Sequence, residues 1–101
     1  TRCLYYNQTD MWRRSKPVCY KAGGDTCNAV KGGQHCFATY QGDLAPMLIA
    51  LNARVVLAKK GESRTLPLED LYSGKGKHPF KKDADELLES ILLPSPAQQT
   101  L

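Results

Sequence analysis

Four cysteines, Cys3, Cys19, Cys27 and Cys36, fall near one end of the chain, and none follows. Their spacing, C-x15-C-x7-C-x8-C, is compatible with three chemistries. Paired as two disulfides, they would staple a small secreted module. As thiolates around structural zinc they would make an all-cysteine site, although zinc usually draws on tight C-x2-4-C knuckles and no such pair is present. A [4Fe-4S] cluster offers separate iron corners to four thiolates, so it suits widely spaced ligands on a wrapping loop. Spacing alone leaves the two metal readings level.

Charge adds to the cysteine pattern. Residues 1–40 carry Arg2, Arg13, Arg14, Lys16, Lys21 and Lys31 against Asp10 and Asp25, whereas residues 41–101 carry eight charges of each sign. The net charge of +4 therefore lies entirely around the thiols. A solvated basic face would produce this, and so would compensation for an anionic group held there. His35, beside Cys36, reads as a neighbour of the site or as solvent-facing. No Ser-His-Asp set, paired-carboxylate site or phosphate-binding loop is discernible, and Gly23-Gly24 and Gly32-Gly33 lack a phosphate-binding context.

The elements that position these residues divide near Tyr40. Residues 1–40 show no sustained period of 3.6 or 2 and read as a long irregular loop, which needs a staple. Asp43 is placed to cap a helix through Leu51, with Pro46 tolerated in its first turn. "ARVVLAKK" reads as a strand, "KGES" as a turn and "RTLPL" as the returning strand of a hairpin. "LEDLY" reads as one helical turn, "SGKGKHPFKKDADE" as a polar loop with solvated Lys75, Lys77, Lys81 and Lys82, and "LLESILLP" as a third strand stopped by Pro94. The expected fold is α+β: a small antiparallel sheet, one main helix and a long cysteine-bearing loop. Its parts are residues 1–40, 41–94 and a tail, 95–101. So small a core suggests a piece of a larger subunit. The longest apolar runs fall far short of the roughly 20 residues of a membrane span. Neither a membrane nor a nucleic acid is expected as a partner.

Two family resemblances bear on the cysteines. "RCLYYN" and "HCFATY" look like activin-type II receptor ectodomains, but that family carries a dense later group of cysteines and nothing here follows Cys36. The wider pattern is different. The four-cysteine arm, "YNQTDMWRR", "CFATYQGDLAP", "RTLPLEDLY" and "DELLESILLP" together resemble the flavoprotein subunit of 4-hydroxybenzoyl-CoA reductases, a branch of the xanthine oxidase family of molybdenum hydroxylases.

That resemblance implies an inserted loop, residues 1–40, in which Cys3, Cys19, Cys27 and Cys36 ligate a [4Fe-4S] cluster. It implies FAD contact by Asp43 of "GDLAP" and by Leu88 of the "LL-x-x-I" strand. The family's glycine-rich flavin loops would lie upstream of Thr1. The implied activity is reductive dehydroxylation of an aromatic acyl-CoA, with electrons from a ferredoxin-type donor reaching FAD through the cluster. Partner subunits would hold the molybdenum cofactor and [2Fe-2S] clusters, and the location would be cytoplasmic. Tyr5, Tyr6 and Trp12 would shield the cluster from water.

Overall fold

The alternation Ala53, Val55, Leu57 sets one apolar face on a β-branched segment, and burying that face organises the larger part of the chain. The computed structural model describes residues 3–96; residues 97–101 of the expected tail lie outside them. These residues form two compact units, one of residues 3–41 with Gly74–Pro79, the other of Gly42–Ser73 with residues 80–96.

In the second unit, helix α2 (Leu44–Ala50) precedes a three-stranded antiparallel sheet of β1 (Arg54–Lys59), β2 (Glu62–Pro67) and β3 (Leu87–Leu92), ordered β2-β1-β3. The helix follows Asp43 as expected, but the Asp43 side chain makes no capping hydrogen bond. Its end is well defined: Asn52 turns left-handed at φ 55°, Asn52 N–H donates to Ile49 C=O at 2.9 Å, and Ala53 N–H donates to Leu48 C=O at 2.9 Å. That Schellman pattern closes the helix and launches β1.

The hairpin loop is Lys60-Gly61, with Gly61 at φ 86°, so Lys59 pairs with Glu62 and Val55 with Leu66. Between β1 and β3 the register steps from Val56↔Ser90 to Leu57↔Leu88, which makes Glu89 an extra residue, a β-bulge. Val55, Leu57, Ala53, Leu68 and Leu71 form the core, with Leu48, Ile49, Leu66 and Tyr72 packed on it. "LEDL" is a single 3-10 turn, Leu68–Leu71, and it supplies Leu68 and Leu71 to that core.

The rim of the same unit holds an ion pair. Glu86 is buried, and its carboxylate accepts from Arg64 Nε at 2.7 Å, from Arg64 Nη2 at 2.9 Å and from Asp83 N–H at 2.8 Å. Arg64's hydrogen bonds, then the Asp83 N–H, hold the Glu86 carboxyl down at about 2.

The cysteine unit departs from the expected featureless loop. It contains helix α1 (Asp10–Arg14), capped by Thr9 Oγ1 accepting from Trp12 N–H at 3.3 Å, and a 3-10 turn, Tyr20–Ala22. Asp10 in the first turn and Arg13 and Arg14 in the last complement the helix dipole. The 74–79 stretch, which read as solvated loop, packs in this unit, and Gly76 is buried.

Candidate functional site

Within the cysteine unit, Cys3, Cys19, Cys27 and Cys36 all line one cavity of about 110 Å³. None is bridged to another; Cys36 is buried and the other three are half-buried. Each is held by local backbone structure. Cys3 C=O accepts from Tyr6 N–H at 3.1 Å and Asn7 N–H at 3.0 Å, a turn that starts the wall. Cys19 pairs with Thr26 in an isolated parallel bridge, and its C=O accepts from Ala22 N–H at 3.0 Å and Gly24 N–H at 2.9 Å. That fold-back explains the first glycine pair: Gly23 is left-handed at φ 99°, and a Cβ on Gly24 would lie 1.8 Å from Val18 O. The chain can therefore return from Cys19 to Cys27 only with glycine there.

Cys27 Sγ accepts a hydrogen bond from Val30 N–H at 3.4 Å. Cys36 is fixed from a distant point in sequence. Its C=O accepts from Gly76 N–H at 2.8 Å, Lys21 Nζ donates to Gly76 C=O at 2.9 Å, and a Cβ on Gly76 would sit 2.8 Å from Cys36 Sγ. Neither Gly76 nor Lys21 stands out in the sequence. The one signal is the pair of glycines in "SGKGK", which marks a close backbone approach as readily as a loop.

The volume of the cavity bears on what the thiols could hold. Zinc with Zn–S near 2.3 Å draws its sulfurs to about 3.8 Å from one another, leaving no void between them. A cavity of about 110 Å³ is several times the roughly 10–15 Å³ that one water needs, so it has room for a group of several atoms. Among the described residues, no group of three or more His, Cys, Asp or Glu side chains is arranged to hold a metal ion. His35 stacks on Phe37 with ring centroids 4.0 Å apart. Tyr5, Tyr6, Tyr20 and Phe37 help wall the cavity. Trp12 does not line it; it lines a neighbouring cleft instead.

The two residues expected to meet flavin both lie in the second unit, on different elements. Asp43 is exposed at the head of α2, with its carboxylate not engaged in capping. Leu88 is 47% exposed on β3, opposite Leu57. An uncommitted carboxylate and an apolar side chain open to solvent are groups that can meet the polar and flat parts of a cofactor.

Comparison with known proteins agrees with this layout. The family model for the FAD binding domain in molybdopterin dehydrogenase matches residues 27–96, which takes in Cys27, Cys36, α2 and the whole sheet. The aldehyde oxidoreductase FAD-binding subunit PaoB of Escherichia coli (strain K12) is 31% identical over 110 residues, covering 95% of this chain and 33% of the relative. The chain thus spans about a third of the length of that relative. With most of its length inside the family model and its α+β fold built as expected, the chain belongs to the FAD-binding domain family of molybdopterin dehydrogenases.

Proposed function

We propose that this chain is the electron-relay portion of the FAD subunit of a molybdenum hydroxylase-type oxidoreductase, and that Cys3, Cys19, Cys27 and Cys36 jointly hold a [4Fe-4S] cluster. The observation that carries this reading is the lining of one several-atom cavity by four unbridged cysteines. When bound, such a cluster supplies one-electron carriage at a potential set by its surroundings.

The chain's own residues supply those surroundings. Val30 N–H donates a hydrogen bond to Cys27 Sγ, the excess of Lys and Arg around the cysteines offsets anionic charge, and the tyrosine and phenylalanine rings exclude water. Asp43 offers its carboxylate and Leu88 its side chain to FAD. The partners in this reading are a molybdenum subunit and a [2Fe-2S] subunit, in the cytoplasm.

For the reaction, the four-cysteine arm favours the 4-hydroxybenzoyl-CoA reductase branch. The chain then serves the reductive dehydroxylation of an aromatic acyl-CoA and takes its electrons from a ferredoxin-type donor. A second reading is favoured by the PaoB relative: aldehyde oxidation, with electrons leaving through this subunit.

Anaerobic purification followed by iron, zinc and acid-labile sulfide analysis tests the site. About four irons per chain, with visible absorbance bleached by dithionite and lost on Cys→Ser substitution, is the expected result. One zinc per chain, or metal-free protein without free thiols, refutes it. Turnover of the assembled enzyme with 4-hydroxybenzoyl-CoA against an aromatic aldehyde separates the two reactions.

A further inference from the structure

A second cleft, of about 310 Å³, opens on the cysteine unit beside the thiol cavity. Its walls include the rings of Tyr5, Tyr6 and Trp12 and the cations of Arg13, Arg14 and Lys16. Tyr5, Tyr6, Cys19 and Asn28 line both spaces, so one thin wall separates them. The cleft is large enough to take a small organic molecule, whose sites begin near 300 Å³.

Charge and shape together narrow the occupant. Asp10 is the single carboxylate in the lining, against three cations. It pairs with Arg14 at 2.8 Å and lies 3.9 Å from Arg13, which leaves the cleft net positive. The cations already sit against aromatic faces: Lys16 Nζ is 5.5 Å from the Trp12 centroid, and the Arg13 guanidinium is 5.6 Å from that of Tyr6. The Tyr5 and Trp12 rings lie 6.1 Å apart at 48°, and both reach the cleft. Aromatic walls favour a flat π-system and a basic rim favours a negative substituent. Neither feature alone would select both.

We propose that this cleft binds a flat aromatic anion, an aryl ring system bearing a carboxylate, sulfonate or phosphate, in contact with the wall it shares with Cys19. The proposal does not depend on what the thiols hold. Its consequence for the proposed relay is positional: a small redox-active aromatic seated here meets the unit at the shared wall.

Trp12 is the chain's one tryptophan, so its emission reports occupancy directly. The experiment titrates the full chain with anthraquinone sulfonate and, in parallel, with uncharged hydroxymethyl anthraquinone. Saturable quenching by the sulfonate, well below about 1 mM, with binding at least severalfold weaker for the neutral compound, is expected. Arg14→Glu weakens binding about two- to thirtyfold, since one attraction becomes a repulsion, while Lys60→Glu, with the same change in net charge, leaves it unaltered. Raising salt from about 20 to about 500 mM weakens binding severalfold. Equal binding of the neutral compound, equal losses for Arg14→Glu and Lys60→Glu, or no saturable quenching overturns the proposal. If Arg14→Glu loses its folded circular dichroism spectrum, the salt series on the unaltered chain decides, and salt-independent binding rejects the site.

Discussion

Replacing Gly76 with alanine tests how tightly the thiol site is built. A Cβ there would lie 2.8 Å from Cys36 Sγ, 2.7 Å from Ala38 O and 2.8 Å from Ala38 N, where ordinary contact begins at 3.4 Å. The neighbours must therefore give by about 0.6 Å, and they are backbone and a buried sulfur rather than the tip of a flexible chain. Gly76 cannot simply swing away, because its N–H is bonded to Cys36 O at 2.8 Å and its C=O to Lys21 Nζ at 2.9 Å. Overpacking of this kind costs about 1–3 kcal/mol. If all of it is expressed against the ligand-holding geometry, affinity for the bound group falls about 5- to 150-fold. Gly74→Ala is the matched control: Gly74 is left-handed at φ 74°, so alanine strains the backbone, but nothing lies within 4 Å of its Cβ. The assay is iron and sulfide per chain after anaerobic reconstitution at limiting iron, with the unfolding midpoint of each variant. Gly76→Ala should lose iron, and Gly74→Ala should keep it while losing some stability. Full iron in Gly76→Ala, or equal losses in both variants, refutes the assignment of Cys36 to the site.

Other outcomes follow from the second unit and the thiols. Leu57→Ala, at a position 1% exposed on the central strand, should lower the unfolding free energy by about 2–5 kcal/mol; a loss below about 1 kcal/mol in urea titration would show that the core is not centred there. Glu86 is ionised in the folded unit down to about pH 2 against an ordinary 4.5. The unfolded chain therefore takes up the proton first, and the stability due to the pair, complete above pH 4.5, drains away as pH falls toward 2. In Glu86→Gln the urea midpoint should lose this acid slope, and an unchanged slope contradicts it. Deleting Glu89 removes the bulge while keeping Leu57↔Leu88 and Val55↔Ile91, so the thermal midpoint should stay within a few degrees, whereas a collapse would show that the bulge itself is required.

How far the sequence could be read depended on the range of the forces involved. The helix after Asp43 and the Lys60-Gly61 hairpin were legible because an early proline, turns and β-branched runs act over a few residues, although the expected cap by the Asp43 side chain is not made. Helix α1 carried a cap at Thr9 and charges matched to its dipole, but it is too short to show a period. The bulge at Glu89 explains a pattern that simple alternation cannot. Leu88 and Ile91 are an odd number of residues apart, yet both sit opposite core-face residues of β1, because the extra residue resets the pleat. Glu86 would be assigned to the surface by its charge, and the Arg64 fork from a separate strand, with the Asp83 N–H, makes its burial tolerable. That the four cysteines line one cavity was hidden for the same reason: Cys36 is positioned by Gly76, and no local rule links them.

What holds the cysteine unit together follows from where burial occurs. Every buried apolar side chain among the described residues lies in the sheet unit except that of Cys36, and the cysteine unit adds only Gly76, which has no side chain. Ordering its backbone costs roughly 1–2 kcal/mol per residue, which hydrophobic burial there does not offset. Its hydrogen bonds, among them the Cys19–Thr26 bridge, the turns at Cys3 and Val30 and the Lys21–Gly76–Cys36 link, each contribute only about 0.5–1.5 kcal/mol net. The cross-linking groups such a segment presents are four cysteines that line one cavity. On the proposed reading, binding of a group at those cysteines would supply folding free energy, as in small metal-stapled domains. The glycines, at which added side chains would collide with Val18 and with Cys36, shape the backbone beside the cavity, and on the proposed reading a bound group would supply the cohesion that a hydrophobic core supplies to the sheet.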